Sequence, residues 1–189
     1  MALSSTPAVF LDKDGTLVHD VPYNVDPKLV RLTPFALEGL RLLQAHGYRL
    51  VMVSNQPGLA RGLFDRHALS RLLSHLCALL QAHGVRLDSV HVCPHSPQLT
   101  PGCGCRKPAP GLLRQAADLH GIDMERSWMV GDILDDVEAG HRAGCRSVLL
   151  DVGNETLWDL SQGRVPDVRA AHLLEAALAI TSTSQRITS

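Results

Sequence analysis

No apolar run in this chain approaches the roughly 20 residues that a membrane-crossing helix needs. There is no surplus of charge either. Eighteen Lys and Arg against nineteen Asp and Glu leave a formal net charge of −1, so no strong field would draw the protein to nucleic acid or to an anionic membrane. The first six residues lack the basic flank and apolar stretch of a secretory signal, which makes the cytoplasm the expected compartment. Internal repeats and low-complexity tracts are absent. The five cysteines, an odd number, do not suggest a disulfide framework. Three of them, Cys93, Cys103 and Cys105, crowd with His95 into one stretch that suits metal thiolates better. Cys77 and Cys145 lie in apolar or helical surroundings and read as small buried hydrophobes. What is left by these exclusions is a protein whose partners are small molecules, with a monomer as the default assembly.

At 189 residues and 45% hydrophobic content the chain is long enough for one sizeable core and too short for two full domains. A single domain over 1–189 is therefore expected. Short β-rich runs at 8–11, 48–53, 89–92, 127–130 and 147–150 are apolar enough to be strands buried on both faces. Between them, 34–46, 66–83, 110–120 and 135–143 carry Leu, Ala and charged residues at helical spacing, with Gly47, Gly84, Gly121 and Gly144 as helix stops. Strand and helix alternating in this way predict an α/β fold, a doubly wound parallel sheet with ligands gathered beyond the carboxyl ends of the strands. The Ser- and Thr-rich tail over 181–189 is expected to fray.

The chemistry follows those strands. After the first comes Asp12-Lys13-Asp14-Gly15-Thr16, two carboxylates two residues apart with a glycine to turn the chain. A carboxylate can attack phosphorus to form an acyl phosphate if a cation offsets the repulsion and a second group protonates the leaving oxygen. Asp12 and Asp14 suit those two tasks. Alone, the pair is equally compatible with ordinary turn chemistry. The second run ends in Ser54-Asn55-Gln56-Pro57-Gly58, a hydroxyl and two amides, with Arg61 just beyond. The fourth is followed by Gly131-Asp132-Ile133-Leu134-Asp135-Asp136, oxygen ligands for a hard cation such as Mg²⁺ or, alternatively, helix caps. Arg106-Lys107-Pro108 supplies basic residues on the loop between the third strand and its helix. Acid pair, hydroxyl, lysine and acid, each after an expected strand, make a complete phosphoryl-transfer set.

That ordered set resembles the haloacid dehalogenase superfamily, over most of the chain from Val9 to about Leu150. The resemblance implies Asp12 as nucleophile, Asp14 as general acid and base, and Ser54 and Lys107 as holders of the phosphoryl oxygens. It implies Mg²⁺ bound by Asp12, Asp132 and the main-chain carbonyl of Asp14, with Asp136 supporting the cluster from behind.

Cys93-Pro94-His95 and Cys103-Gly104-Cys105 each place two soft ligands at i and i+2, on one side of an extended segment. Two such pairs can close a tetrahedron around a structural Zn²⁺; surface thiols or a redox pair are the alternative. The loop runs straight into Arg106 and Lys107. Cys-Pro-His with Cys-x-Cys-Arg-Lys-Pro, and Gln56-Pro57-Gly58-Leu59-Ala60-Arg61-Gly62, resemble the small, nearly capless branch of the superfamily that holds the heptose bisphosphate and histidinol-phosphate phosphatases. By that resemblance the substrate is a phosphorylated sugar, D-glycero-D-manno-heptose 1,7-bisphosphate losing its 7-phosphate, with histidinol phosphate as the alternative. Asp20, Tyr23, Ser54, Asn55, Gln56, Arg61, Arg106 and Lys107 are the implied substrate contacts. Val21-Pro22-Tyr23-Asn24 and Ile133 depart from the branch's pattern. A phosphosugar mutase is disfavoured because no large cap fits between Val18 and Leu50. A zinc-stabilised binding module without turnover is the reading from another class.

Overall fold

The structure, a computed structural model, describes residues 5–187. Six parallel strands form one sheet in the order β3-β2-β1-β4-β5-β6. They are β1 (Ala8–Leu11), β2 (Arg49–Asn55), β3 (Ser89–Cys93), β4 (Trp128–Gly131), β5 (Arg146–Leu150) and β6 (Val168–Ala170). The helices are α1 (Ala36–Ala45), α2 (Arg66–Ala82), α3 (Gly111–His120), α4 (Leu134–Ala143) and α5 (Leu173–Ile187), with a short 3-10 turn at Pro27–Leu29.

The alternation of side chains along the strands divides the core in two. Val9, Leu11, Leu50, Met52, Val130 and Val148 pack in one cluster with residues of α1, α2 and α5. Their neighbours Ala8, Phe10, Val51, Val53 and Met129 pack in the other with residues of α3 and α4. A strand covered on both faces has no polar side to show in its sequence. The β1 side chains are all fully buried.

All five expected strands and four expected helices form, within a residue or two of their expected ends. Gly47, Gly84, Gly121 and Gly144 all take positive φ, the last two as left-handed C-caps. Two elements were not anticipated. The edge strand β6 is only three residues long and carries too short a pattern to read. Helix α5 runs on to Ile187, into the tail expected to fray from Thr181, and residues 188 and 189 of that tail lie outside the described residues. Serines and threonines compete with a helix through their hydroxyls. Here Thr181, Ser182 and Thr183 direct them to the carbonyls of Ala177, Leu178 and Ala179, while Ile180 and Thr181 are buried against the sheet. No helix among the described residues is long and apolar enough to cross a membrane.

The chain order reverses between β1 and β4, so the loops after these two adjacent strands diverge and leave a crevice at the carboxyl end of the sheet. Asp12 leaves β1 and Asp132 leaves β4 at that point, and the Asp12 amide donates to Val130 O at 3.0 Å.

The opposite packing layer offers a test of how tightly the scaffold is built. Helices α1 and α5 meet at Gly39, where an added Cβ would lie 2.7 Å from Leu173 O and 2.8 Å from its carbonyl carbon. Alanine improves helix propensity by about 0.5–1 kcal/mol, but overpacking against backbone costs about 1–3 kcal/mol. Gly39→Ala should therefore lower stability in urea unfolding while leaving kcat per folded molecule unchanged; equal or greater stability would show that the α1–α5 contact yields easily.

Candidate active site

Lys107 sits at the centre of the crevice, 2% exposed. Its Nζ lies 2.5 Å from Asp12 Oδ1 and 2.6 Å from Asp136 Oδ1, and it also donates to Val53 O at 3.1 Å. The loop carrying it is held at the main chain: Asn55 Nδ2 donates to Lys107 O and Lys107 N donates to Asn55 Oδ1, both at 3.1 Å. Asn55, expected to contact substrate, thus clamps the lysine loop to the end of β2 while also bordering the cleft.

Asp12, Asp132 and Asp136 bring carboxylate oxygens within 4.8 Å of one another. Burial, and then the charge of Asp12, pushes Asp132 up to about 6. Burial also pushes Asp136 up to about 7, against the pull of Lys107 and with the added repulsion of Asp12 and Asp132. Burial would lower Lys107, but Asp12 and Asp136 outweigh it and hold the ammonium above the ordinary lysine range. That both members of the Lys107–Asp136 pair move up has a simple cause: three carboxylates face one ammonium, so the excess of negative charge favours protons on both. Two uncompensated charges on hard oxygen donors are what a divalent cation such as Mg²⁺ would balance.

The helix-cap alternative for Asp132 fails, because that task is done by other groups. The first amide of α4, Leu134 N, donates to Glu155 Oε2 at 2.8 Å, and Ile133 N faces Asp136 Oδ2 at 3.4 Å. Asp132 instead accepts from Thr16 Oγ1 at 3.2 Å and Asn154 Nδ2 at 2.8 Å. Gly131 has no room for a side chain, since a Cβ there would stand 2.1 Å from Asp136 Oδ2.

Asp14 faces the cleft with Gln56 Nε2 3.1 Å from its Oδ2 and the Lys13 ammonium against its Oδ1. Burial raises its pKa above the ordinary carboxyl value in spite of Lys13. The cleft has a volume of about 420 Å³, within the small-molecule range. Asp20, Tyr23, Gln56 and Arg106 line it. Ser54 and Arg61 do not. Ser54 is 1% exposed and accepts from Gln56 Nε2 at 2.9 Å, behind the amide that reaches the cleft. Arg61 is exposed and bridges two rim loops, donating to Tyr23 Oη and, at 3.1 Å, to Gln98 Oε1. Ile133 also lines the cleft, apolar. Sequence reasoning missed Asn154, Thr16 and Lys13. Asn154 follows a strand end, the one signal that could have marked it.

Cys93, His95, Cys103 and Cys105 form a second cluster. All six ligand-atom separations fall between 3.0 and 3.8 Å: 3.8, 3.1 and 3.2 Å among the sulfurs, and 3.6, 3.0 and 3.3 Å from them to His95 Nδ1. Ligands about 2.3 Å (sulfur) and about 2.0 Å (nitrogen) from a tetrahedral Zn²⁺ would stand about 3.5–3.8 Å apart. The donors therefore fit zinc after a slight expansion. Burial, then the neighbouring sulfurs, drive the Cys105 thiol well above its ordinary range, the crowding that a cation would relieve. The loop packs on α3 where Gly111 N donates to Gly104 O at 3.0 Å.

The carboxylate cluster makes a prediction about stability and pH. In metal-free protein Asp132 and Asp136 bind protons more tightly folded than unfolded, where a carboxyl titrates near 3.9. Between about pH 4 and pH 7 the native state holds the extra protons, so stability falls as pH rises and the cost is complete above about 7. Asp65 and Asp167 move the other way in windows below the ordinary carboxyl value, and His91, lowered from 6.5 by burial, opposes the trend below that pH. The gain in urea midpoint that Mg²⁺ gives over Mg²⁺-free, zinc-containing protein should grow from about pH 4 to pH 7; a gain that stays constant across this range would remove the charge excess.

Comparison with known proteins agrees with this geometry. Residues 104–176 match the HAD-hydrolase-like family model. The D-glycero-beta-D-manno-heptose-1,7-bisphosphate 7-phosphatase of Photorhabdus laumondii is 41% identical over 138 residues, covering 70% of this chain and 73% of its own. The enzyme of the same name from Escherichia coli K12 is 36% identical over 172 residues, 88% and 86% of the two chains. A crystal structure of D,D-heptose 1,7-bisphosphate phosphatase from B. bronchiseptica, complexed with magnesium and phosphate, superposes with a TM-score of 0.82 at 32% identity, covering 94% of this chain and 99% of that one. The chain belongs to the haloacid dehalogenase-like hydrolases, in the family of the D-glycero-beta-D-manno-heptose-1,7-bisphosphate 7-phosphatases.

Proposed function

We propose that this chain hydrolyses the 7-phosphate of D-glycero-D-manno-heptose 1,7-bisphosphate through an aspartyl-phosphate intermediate on Asp12. The observation that carries the reading is the meeting of Asp12, Lys107, Asp132 and Asp136 at the β1/β4 crevice, in a chain whose relatives carry this name. The β anomer is the one in the relatives' names and is the first choice of substrate.

In this reading Lys107 holds one Asp12 oxygen and leaves the other to attack phosphorus. Its charge also offsets the negative charge on the transferring group. Asp14, raised by burial, keeps a proton at a higher pH than an ordinary carboxyl and gives it to the leaving sugar oxygen. As a carboxylate it then takes the proton of the water that attacks the aspartyl phosphate, and Asp12 is regenerated with inorganic phosphate released. Mg²⁺, held by Asp12, Asp132 and the Asp14 carbonyl with Asp136 behind, would supply charge neutralisation to the phosphoryl group. Gln56 orients Asp14 from the side of Ser54. Arg106 and Tyr23 line the same cleft and would contact the sugar and its second phosphate, while Arg61 acts on Tyr23 from outside.

Zn²⁺ at Cys93, His95, Cys103 and Cys105 would have a structural part with catalytic consequences, because Arg106 and Lys107 follow the last ligand directly. No open position is left on a metal with four protein ligands.

Two measurements test this. Asp12→Asn should abolish phosphate release, since an amide cannot form the phosphoenzyme. A parallel screen should rank the β-heptose bisphosphate above its α anomer and above histidinol phosphate. Appreciable turnover by the variant would remove the nucleophile, and preference for histidinol phosphate would reassign the substrate. For the loop, Cys103→Ser should lose zinc, lower the melting temperature and reduce kcat/KM by about 10- to 100-fold, the range found for supporting contacts around metal sites. Zinc lost with kcat/KM intact would mean that the loop is rigid without it.

A further inference from the structure

Residues 151–167 leave the sheet after β5, pass over α4 and return at β6. The strap is fastened to α4 at several points. Glu155 Oε2 accepts from Leu134 N at 2.8 Å, Arg164 pairs with Asp135 at 3.2 Å and with Glu138, and His141 Nδ1 stands 2.8 Å from Gly163 O. Ahead of these fastenings, Asn154 extends its amide back into the crevice and donates to Asp132 Oδ2 at 2.8 Å.

The two oxygens of Asp132 are thus held from opposite sides, Oδ1 by Thr16 Oγ1 at 3.2 Å and Oδ2 by Asn154. Gly15 closes over the pair so tightly that a Cβ there would lie 2.2 Å from Asp132 Oδ2 and 2.5 Å from Asn154 Nδ2. Asn154 is exposed, whereas Asp132 is buried at 5%. An exposed amide has water as its alternative partner, so a bond directed to a buried carboxylate reflects the course of the strap.

We propose that Asn154 is a positioning residue that fixes the Asp132 carboxylate for its divalent cation. This inference rests on the reading in which Asp132 binds Mg²⁺. Each carboxylate oxygen has more than one lone pair, so the two hydrogen bonds leave acceptor capacity for a cation while stopping rotation of the carboxylate. An amide donor does this without adding charge: a lysine at 154 would neutralise the field that attracts the cation, and an aspartate would repel Asp132. The fastenings at Glu155 and Arg164 hold the strap in place, so Asn154 need not be ordered when the metal arrives.

The test is Asn154→Ala, an exposed position whose loss does not threaten folding, measured on zinc-containing protein by Mg²⁺ titration calorimetry and by the Mg²⁺ dependence of phosphate release. Positioning predicts a dissociation constant for Mg²⁺ raised by about 10- to 100-fold. The half-saturating Mg²⁺ concentration should shift equally. Unchanged Mg²⁺ affinity in Asn154→Ala overturns the inference whatever the melting temperature does, because an amide that only ties down the strap affects stability alone. Asp132→Asn in the same titration separates the two levels. Wild-type affinity in that variant removes Asp132 as a ligand and the reading beneath it; affinity lost there but kept in Asn154→Ala removes only the role of Asn154.

Discussion

The ammonium of Lys107, buried between Asp12 and Asp136, is the interaction on which the rest of the site depends. Removing one partner of a buried ion pair typically costs about 3–5 kcal/mol, because the remaining charge stays buried and unmatched. Here the loss of the ammonium would leave three carboxylates facing one another. The fold accordingly holds the lysine by its backbone as well as its side chain. Asn55 bonds both its amide and its carbonyl, and Val53 O takes a further bond from Nζ.

Three long stretches of chain converge to make this possible. Asp12 arrives at the end of β1, Asp132 and Asp136 come from β4 and the first turn of α4, and Lys107 comes from the loop after β3, across the whole width of β2. A strand end sets the position of an aspartate almost by itself, since the sheet fixes its backbone. A loop does not, and the loop that carries Lys107 also carries His95, Cys103 and Cys105, which with Cys93 at the end of β3 lie within bonding reach of a single ion. Main-chain bonding to Asn55 and packing of Gly104 on Gly111 complete its support. The soft-ligand cluster and the carboxylate cluster are thus joined through Lys107, which follows the one in sequence and pairs with the other in space.

Some roles read from the sequence shift once neighbours are visible. Ser54 and Gln56 share a motif, but the chain turns so that the amide reaches the cleft and the hydroxyl supports it. Arg61 belongs to the same stretch and points to the rim, where it joins Tyr23 to Gln98. Ile133, the departure after Gly131-Asp132, leaves an apolar wall in a cleft whose other residues are mostly polar. Asp132 and Asp135 were open to a capping role in the sequence. Glu155, twenty-one residues beyond Leu134, takes the first helix amide and leaves Asp132 to the crevice.

The amino-acid sequence by itself determined the strand and helix pattern, the acid pair after β1, the acidic run after β4 and the two soft-ligand pairs, because each is local: a period, a turn residue or a spacing of two. It also determined that α4 would begin beside Asp132, but not which group would cap it. Tertiary structure decided which side chains share the crevice. The division of Asp132 between Thr16 and Asn154, the clamp of Asn55 on Lys107 and the withdrawal of Ser54 behind Gln56 all join residues that no periodicity relates. Helix α5 was likewise hidden, since the hydroxyls of Thr181, Ser182 and Thr183 favour loops in isolation and accept a helix only where Ile180 and its neighbours can bury against the sheet.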